Sequence, residues 1–276
     1  METYQKTDKK RYNVLKEVPL RIRRNYARVI LSFAEPNQRI LDAGFGSGSI
    51  LIPLAQENRV AEVVGVDYSK PLFNSVSREI GNKAKLFLAD ISKFRGEYDI
   101  VHFKAILHCF HNPERALDTL ARMVKPQGLL ITAHENSQIE DRIEQLFINE
   151  IVDRELELLL EYYFALRTHL GKPFLWRRYP AGNSKNAADY LCNHKKFKLL
   201  KKIQGKRLSW NRTFKLSDLL YSIRNRTYTV FDKNVTKKEN DFILENMMTF
   251  SRAHKIDLRK ERFVPAHIEM YVLKKD

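Results

Sequence analysis

The chain has 276 residues, and its 49 Lys and Arg against 33 Asp and Glu give a formal net charge of +16 at pH 7. This length suits one large α/β domain with a lid. No apolar run approaches the roughly 18 residues of a membrane-spanning helix, and residues 1–35 hold no apolar signal-like segment, so we expect a cytoplasmic protein without membrane contact. Cys109 and Cys192 lie far apart and outside any CxxC arrangement, which predicts neither a disulfide framework nor a metal site.

The predicted elements alternate between helix and strand. A charged amphipathic helix over residues 11–33 comes first and ends before Pro36. Five strands follow with helical patterns between them, at residues 39–41, 62–66, 85–88, 99–103 and 129–133. The clearest of these helices are predicted over residues 72–80 and 115–124. Such alternation is typical of a mostly parallel sheet with flanking helices.

Three glycines lie where the first strand must turn into a helix from Ser49 onward: Gly44, Gly46 and Gly48. Glycine has no Cβ, so such a turn admits positive φ angles and lets a ligand approach the backbone and the amides of the helix. The turn therefore predicts a site for a nucleoside ligand. By itself, this glycine order equally suits a nicotinamide dinucleotide enzyme.

Two aspartates flank the turn and narrow the choice of ligand. The second strand ends at Asp67, where a carboxylate can accept hydrogen bonds from two ribose hydroxyls. Asp42 stands two positions before the first glycine, and its carboxylate suits a cationic ammonium and would repel a pyrophosphate. The ligand indicated is S-adenosylmethionine.

With these features the chain resembles the class I, Rossmann-like S-adenosylmethionine-dependent methyltransferases. Four stretches match that family in order and spacing: DAGFGSG at residues 42–48, VVGVDYS around Asp67, LFLADI around Asp90, and YDIVHF at residues 98–103. Residues 108–133 resemble the helix, proline-glycine turn and fifth strand of the small-molecule branch, with Gln127 where a second glycine is more usual. The resemblance covers about half of the chain.

The resemblance implies S-adenosylmethionine as cofactor and S-adenosylhomocysteine as product. It implies that Asp67 binds the ribose and Asp90 the adenine, with Tyr68 and Ile91 packing beside the adenine ring. For Asp90, the alternative role is to cap a helix before Ser92. The complete predicted cofactor-binding set is Asp42, Ala43, Gly44, Gly46, Gly48, Asp67, Tyr68, Ser69, Asp90, Ile91 and Phe103.

Two histidines near the fourth strand are candidates for the reaction itself. His108 follows this strand at the place where substrate meets cofactor in the family, and an ordinary histidine pKa of about 6.5 lets it accept a proton at neutral pH. We predict His108 as the catalytic base for a protonated nucleophile, with a role as pocket wall as the alternative. His102, within the strand, is predicted as a core or cofactor-adjacent residue.

In the second half of the chain, the sequence predicts a helical lid followed by strands that rejoin the sheet. Residues 139–170 have the spacing of one or two lid helices. Four aromatic residues are candidates either for a substrate pocket or for simple packing: Tyr162, Tyr163, Trp176 and Tyr179. We then expect a strand at residues 197–203, a strand-turn and a helix capped by Ser217 within residues 210–228, a helix at residues 237–254, and a closing strand at residues 266–273. This ending resembles the family's final hairpin, in which the last strand runs antiparallel at the sheet edge.

The predicted fold class is therefore α/β, a Rossmann-like, mostly parallel seven-stranded sheet with flanking helices and a helical lid inserted after the fifth strand. We expect three parts. Residues 1–135 form the N-terminal helix and cofactor-binding core, residues 136–190 the lid, and residues 191–276 a C-terminal part that completes the sheet and adds helices over the active site.

Charge and motifs leave several functions open. From residue 191 onward, 21 Lys or Arg stand against 9 Asp or Glu, which suits either an acidic small substrate or nucleic acid. The leading interpretation is methyl transfer to an oxygen, nitrogen or carbon of a small molecule, because the fourth strand lacks the Asp/Asn-Pro-Pro-aromatic motif of base-amine methylation. The alternatives are an RNA (tRNA) methyltransferase that docks through the basic C-terminal region, a nucleic-acid-binding protein without turnover, and a dinucleotide dehydrogenase, which Asp42 disfavours.

Overall fold

The computed structural model describes residues 18–110, 112–137, 153–172, 184–225 and 235–276. Within these ranges the strands are β1 (Arg39–Ala43), β2 (Glu62–Asp67), β3 (Lys85–Leu88), β4 (Tyr98–Lys104), β5 (Val124–Ser137), β6 (Phe197–Ile203), β7 (Ser209–Phe214) and β8 (Arg262–Lys275). The helices longer than one turn are α1 (Leu20–Leu31), α2 (Leu51–Gln56), α3 (Lys70–Ile80), α4 (Pro113–Met123), α5 (Arg154–His169), α6 (Ser184–His194), α7 (Leu216–Arg224) and α8 (Lys237–Ala253). Among the described residues, none of the helices is both long enough and apolar enough to cross a membrane.

The strands form one sheet in the order β3-β2-β1-β4-β5-β8-β6, with β7 also paired to β8. The first five strands are parallel, as the alternating pattern predicts. Their inner members are apolar and buried on both faces, which is the usual state of parallel strands covered by helices. Helices α1, α2 and α3 pack on one face, and α4 and α6 pack on the other. The Rossmann-like sheet is confirmed, and β7 brings its strands to eight.

The position of β8 differs from the prediction. It runs antiparallel as expected, but it lies between β5 and β6, so it is not at the sheet edge. The sequences explain this order. Side chains of β8 reach both core clusters, with Met270 and Val272 on one face and Tyr271 and Leu273 on the other. In β6, by contrast, five of seven residues are exposed, and a lysine-rich strand is well suited to an edge because it resists pairing with other chains.

Two predicted helix starts are wrong. α2 begins at Leu51, two residues later than the predicted start at Ser49. α7 begins at Leu216, so Ser217 lies inside the helix and does not cap it. The cap is formed by Asp218, whose carboxylate accepts a hydrogen bond of 2.8 Å from the backbone amide of Lys215. An acidic residue in the first turn stabilises the helix start by accepting a bond from a free backbone amide, which is the role predicted for Ser217.

Helices α5, α7 and α8 form a third hydrophobic cluster separate from the sheet. Its buried residues come from segments far apart in sequence, with Leu159 and Tyr163 from α5, Leu219 from α7, and Ile243 and Met247 from α8. α5 belongs to the predicted lid, of which residues 138–152 and 173–183 lie outside the described residues. The lid helix therefore packs with C-terminal helices, and the domain boundaries at 135 and 190 stay predictions.

Candidate functional site

The glycine turn connects the carboxyl end of β1 to α2. Gly44, Gly46 and Gly48 all have positive φ, with 72° at Gly44 and 55° at Gly46. A Cβ on Gly44 would come within 2.5 Å of a side-chain carbon of Ile106, so only glycine fits there. At Gly46 the same Cβ would meet no atom within 4 Å, which leaves open space beside the backbone. The turn is thus closed toward the protein at its first glycine and open at its second.

Asp67, the last residue of β2, joins this turn to the start of α3. Its Oδ2 accepts a hydrogen bond from the Gly46 amide, and its Oδ1 accepts one from the Ser69 amide, both 2.8 Å long. The residue is only 7% exposed. Burial raises the pKa of the Asp67 carboxyl above its usual value, and hydrogen bonds from the backbone amides of Ser69, Gly46 and Tyr68 oppose that rise. The structure therefore brings the predicted ribose acid against the predicted glycine turn.

Asp42 lies on β1 directly beside His102 of β4 in the parallel pairing. Its Oδ1 is 2.7 Å from Nδ1 of His102, and Nε2 of the same ring is 2.6 Å from the Tyr26 hydroxyl. All three residues are buried, and burial together with the charge of Asp42 raises the pKa of Tyr26. His102 is a core residue, as predicted. The sequence did not single out Tyr26, although its place with Ile22 on the buried stripe of α1 was a signal that its hydroxyl needs a partner inside the core.

The predicted adenine-side residues follow β3 and lie at the same edge of the sheet. The Ala89 amide donates to the Asp67 carbonyl over 3.0 Å, which brings the two segments together. Oδ1 of Asp90 accepts bonds from both the amide and the hydroxyl of Ser92, at 2.9 and 2.8 Å. Asp90 thus caps a turn at Ser92, and its contact with adenine stays a prediction, as does packing of the half-buried Tyr68 and the buried Ile91 on the ring.

A collapsed pocket, with no room for a water molecule, lies between the carboxyl end of β4 and the middle of β5. Its lining consists of Phe103, Ala105, Ile106, Leu107, Thr132, Ala133 and Ser184. The hydroxyl of Thr132 donates to that of Ser184 over 3.1 Å, which gives the apolar pocket one polar corner. Ala105 has φ 52°, a left-handed conformation that costs an alanine energy and is frequent beside functional sites. This pocket is the candidate acceptor side.

His108 is in the short helical turn Leu107–Cys109 beside this pocket, but its side chain lies outside the described part of the structure. Its role as base or wall stays a prediction. Nearby, the Lys104 ammonium lies 3.2 Å from Glu135, and both side chains are largely buried. Because this ion pair has one positive and one negative side chain, it adds no net charge to the end of β4.

The aromatic residues predicted for the lid have packing roles where the structure describes them. Tyr163 is buried in the helical cluster and accepts a bond from Arg167, and Tyr162 stacks on Phe250 with ring centroids 4.1 Å apart. For these two, packing is the alternative that the structure supports. Trp176 and Tyr179 lie outside the described residues.

Comparison with known families agrees with this geometry. A family profile described as a methyltransferase domain matches residues 14–178, more than half of the chain. The chain belongs to this methyltransferase family. The matched range contains every residue predicted to bind the cofactor and the whole parallel part of the sheet.

Relatives of the methyltransferase are similar over shorter ranges. An uncharacterized chloroplastic methyltransferase of Arabidopsis thaliana is 31% identical over 103 residues, covering 33% of this chain and 29% of the relative. An uncharacterized Synechococcus protein is 33% identical over 101 residues, covering 33% of this chain and 24% of the relative. The matches thus span less than a third of these curated relatives.

Solved structures share the fold over nearly the whole chain. A putative methyltransferase from Bacillus halodurans has a TM-score of 0.53 at 14% identity, with 91% of this chain and 98% of that chain covered. YjhP from E. coli has a TM-score of 0.52 at 13% identity, with 99% and 98% covered. At such identities the likeness shows the fold alone.

Proposed function

We propose that the chain binds S-adenosylmethionine at the carboxyl edge of β1 and β2 and transfers its methyl group to a small-molecule acceptor. The observation that carries this proposal is the contact of Asp67 with both Gly46 and Ser69. That contact assembles a carboxylate and a glycine turn beside open space at Gly46, which is what a nucleoside with a free ribose requires.

The residues present fit this cofactor. The Asp67 carboxylate accepts backbone bonds from Gly46, Ser69 and Tyr68, and because a carboxylate has about four acceptor positions it keeps capacity for a ribose hydroxyl. Asp42 supplies the negative charge for the amino-acid ammonium, close to the start of the glycine turn. Tyr68 and Ile91 are placed on the two segments that follow β2 and β3, where the adenine is expected.

The acceptor side is assigned to the pocket at β4 and β5. S-adenosylmethionine supplies an already activated methyl group for direct in-line displacement by an oxygen, nitrogen or carbon of the acceptor. This pocket would have to widen to admit an acceptor; its apolar walls at Phe103, Ile106 and Leu107 would then exclude water and hold the acceptor in place, which is most of what this chemistry requires. His108 removes a proton from an acceptor that carries one.

Calorimetric titration of the purified protein with S-adenosylmethionine, S-adenosylhomocysteine and NADH tests the proposal. We expect micromolar binding of the two adenosyl ligands and none of NADH. Before titration, mass spectrometry checks for a co-purified adenosyl ligand, and the 260/280 absorbance ratio checks for nucleic acid. Binding of NADH alone, or of no ligand by a ligand-free folded protein, would overturn the proposal.

One observation favours RNA as a second candidate acceptor. Arg21, Arg24 and Arg28 lie on one exposed stripe of α1, and the Asn25 side chain within that stripe donates to the Arg207 carbonyl over 3.0 Å. This bond brings the exposed Lys206 and Arg207 beside the stripe. Five cations on one surface are suited to a phosphate backbone, although Arg28 also contacts Glu57.

Total tRNA labelled with a fluorophore is the probe for this candidate. RNA binding through the stripe predicts that the double variant Arg21→Glu, Arg24→Glu weakens binding at least tenfold and flattens its salt dependence. Lys83→Glu, a charge reversal at an exposed lysine just before β3 and outside both the stripe and the basic C-terminal region, is the control. Equal tRNA affinity in all three proteins, or none in the wild type, would leave the small molecule as the acceptor.

A further inference from the structure

Three buried polar side chains form a hydrogen-bonded chain from α1 through β4 to β1. The Tyr26 hydroxyl lies 2.6 Å from Nε2 of His102, and Nδ1 of His102 lies 2.7 Å from Oδ1 of Asp42. Tyr26 and His102 are fully buried, and Asp42 is 3% exposed. Tyr26 also meets the imidazole edge-on, with ring centroids 5.4 Å apart. The contacts therefore fix the position of the ring and its orientation.

The donors and acceptors define the proton positions. A carboxylate accepts only, so Nδ1 of His102 carries the proton of that bond, and the bare Nε2 accepts from the hydroxyl of Tyr26. Burial and the negative charge of Asp42 raise the pKa of Tyr26, so this hydroxyl stays protonated and remains a donor. In this arrangement each of the two hydrogen bonds has one donor and one acceptor.

This hydrogen-bonded series of buried side chains has a desolvation cost that packing alone does not explain. Polar groups buried this completely gain little stability over apolar residues of similar shape, because desolvation offsets most of the hydrogen-bond energy. Its inner end, Asp42, stands two residues before Gly44, where the open glycine turn begins. In binding sites, residues behind a ligand-binding group commonly fix its orientation in this manner.

We propose that Tyr26 and His102 are positioning residues that hold Asp42 oriented to bind the ammonium of the cofactor's amino-acid part. His102 engages Oδ1, and Oδ2 of the carboxylate receives the ammonium. This inference rests on the proposed function, which supplies the cofactor. It also assigns α1 to the site, because α1 carries the outer end of the chain.

The test compares two ligands that differ in the amino-acid part. S-adenosylhomocysteine has the ammonium, whereas 5′-methylthioadenosine has the same nucleoside and thioether without it. For His102→Leu we expect about tenfold weaker binding of S-adenosylhomocysteine and no change beyond twofold for methylthioadenosine. His102→Asn, whose amide can replace Nδ1 as donor to Asp42, should restore most of the lost affinity. Tyr26→Phe removes only the hydroxyl and should weaken S-adenosylhomocysteine selectively, about threefold.

Tyr163→Phe is the matched control, because it removes another buried tyrosine hydroxyl, within the helical cluster, and should leave the ratio of the two affinities unchanged. Equal weakening of both ligands, or no weakening, in His102→Leu would overturn the positioning role while leaving the proposed function intact. If His102→Leu does not fold, the affinity ratio in Tyr26→Phe decides, and a wild-type ratio there overturns the inference. Failure of the wild type to bind either ligand would overturn the proposed function as well.

Discussion

At the scale of single residues, the carboxylate of Asp67 has a structural role that the proposed ribose contact would share. Its two oxygens already hold the amides of Gly46 and Ser69, so the acid shapes the glycine turn even without a ligand. A ribose would share these oxygens with the backbone. Removal of the side chain therefore affects both the ligand contact and the turn that surrounds the ligand.

We expect Asp67→Ala to weaken S-adenosylmethionine binding tenfold or more, because charged hydrogen bonds to ribose contribute roughly 1.5–3 kcal/mol each. Calorimetry measures the affinity, and far-UV circular dichroism checks that the fold is retained. Ser77→Ala, at a half-buried position on α3, serves as the control and should bind as the wild type does. Wild-type affinity in Asp67→Ala would remove Asp67 from the site.

The raised pKa of Asp67 predicts a pH dependence. An ordinary aspartate titrates near 3.8, and burial moves Asp67 upward from that value. As the pH falls through the raised pKa, the carboxylate takes up a proton and loses an acceptor, so cofactor affinity should decline at a higher pH than an ordinary aspartate would cause. By linkage, the same shift stabilises the fold at low pH, and this contribution is lost as pH rises through the raised pKa.

Titrations of S-adenosylhomocysteine between pH 7.5 and about pH 4.5 would measure this decline. Asp67→Asn has no proton to gain and should bind weakly with a flatter profile over the same range. A wild-type profile identical in shape to that of Asp67→Asn would contradict the assignment.

At the scale of elements, the first residues of β5 include a strained residue beside a required glycine. Gln127 has φ 61°, and a Cβ on Gly128 would come within 2.8 Å of the Asp99 carbonyl and 2.9 Å of the Lys125 carbonyl. Gln127→Gly should stabilise the protein by about 0.5 kcal/mol, since relief of the left-handed conformation exceeds the entropy that glycine loses on folding. Gly128→Ala should destabilise it by about 1–3 kcal/mol, because backbone atoms cannot move aside cheaply.

Urea denaturation of both variants measures these free energies of unfolding. The comparison depends on the opposite signs of the two changes, which are expected at positions adjacent in the chain. A lower free energy of unfolding for Gln127→Gly, or an unchanged one for Gly128→Ala, would show that the backbone at the start of β5 differs from the structure described.

Elements with a local signal were predictable from sequence. The parallel strands were found because each is a short apolar run followed by a turn, and such runs depend little on distant residues. The sequence predicts α7 in the right region but with the wrong cap, because Ser217 and Asp218 are adjacent and either residue type can cap a helix. The lysines of β6 are a local signal of its position at the sheet edge.

Contacts between side chains on different strands could not be predicted from the sequence. Asp42 and His102 are 60 residues apart, and their contact depends on β1 and β4 being neighbours in register. Tyr26 joins them only because α1 packs on that face. The segments that carry the predicted site residues could thus be located from sequence, whereas the hydrogen bonds that connect these residues follow from the strand order.

At the scale of the whole molecule, one buried arginine links the helical cluster to the sheet. Arg262, at the start of β8, has a side chain only 3% exposed. Its Nε donates to Asp153 over 2.8 Å, and its Nη2 contacts Glu155 and also donates to the Asp257 carbonyl over 3.0 Å. Asp153 also caps α5 through the Leu156 amide, so one network joins the helix start to the strand start.

Arg262→Ala should lower the free energy of unfolding by about 2–4 kcal/mol, because it leaves two partly buried carboxylates facing each other without a cation. Arg259→Ala, at an exposed arginine three residues earlier, is the control and should change stability by less than about 0.5 kcal/mol. Urea denaturation measures both variants. Equal stability of the two variants would show that the network contributes no more than a surface charge.

The placement of β8 has a consequence for the order in which the molecule assembles. β8 pairs with β5 from Leu129 with Lys274 to Ser137 with Ala266, partners more than a hundred residues apart, and closing such a loop costs about 4 kcal/mol in chain entropy. β6 and β7 precede β8 in the chain, yet both join the sheet through β8. These two strands, although synthesised earlier, cannot enter the sheet until β8 lies beside β5, so the parallel half of the sheet can form first.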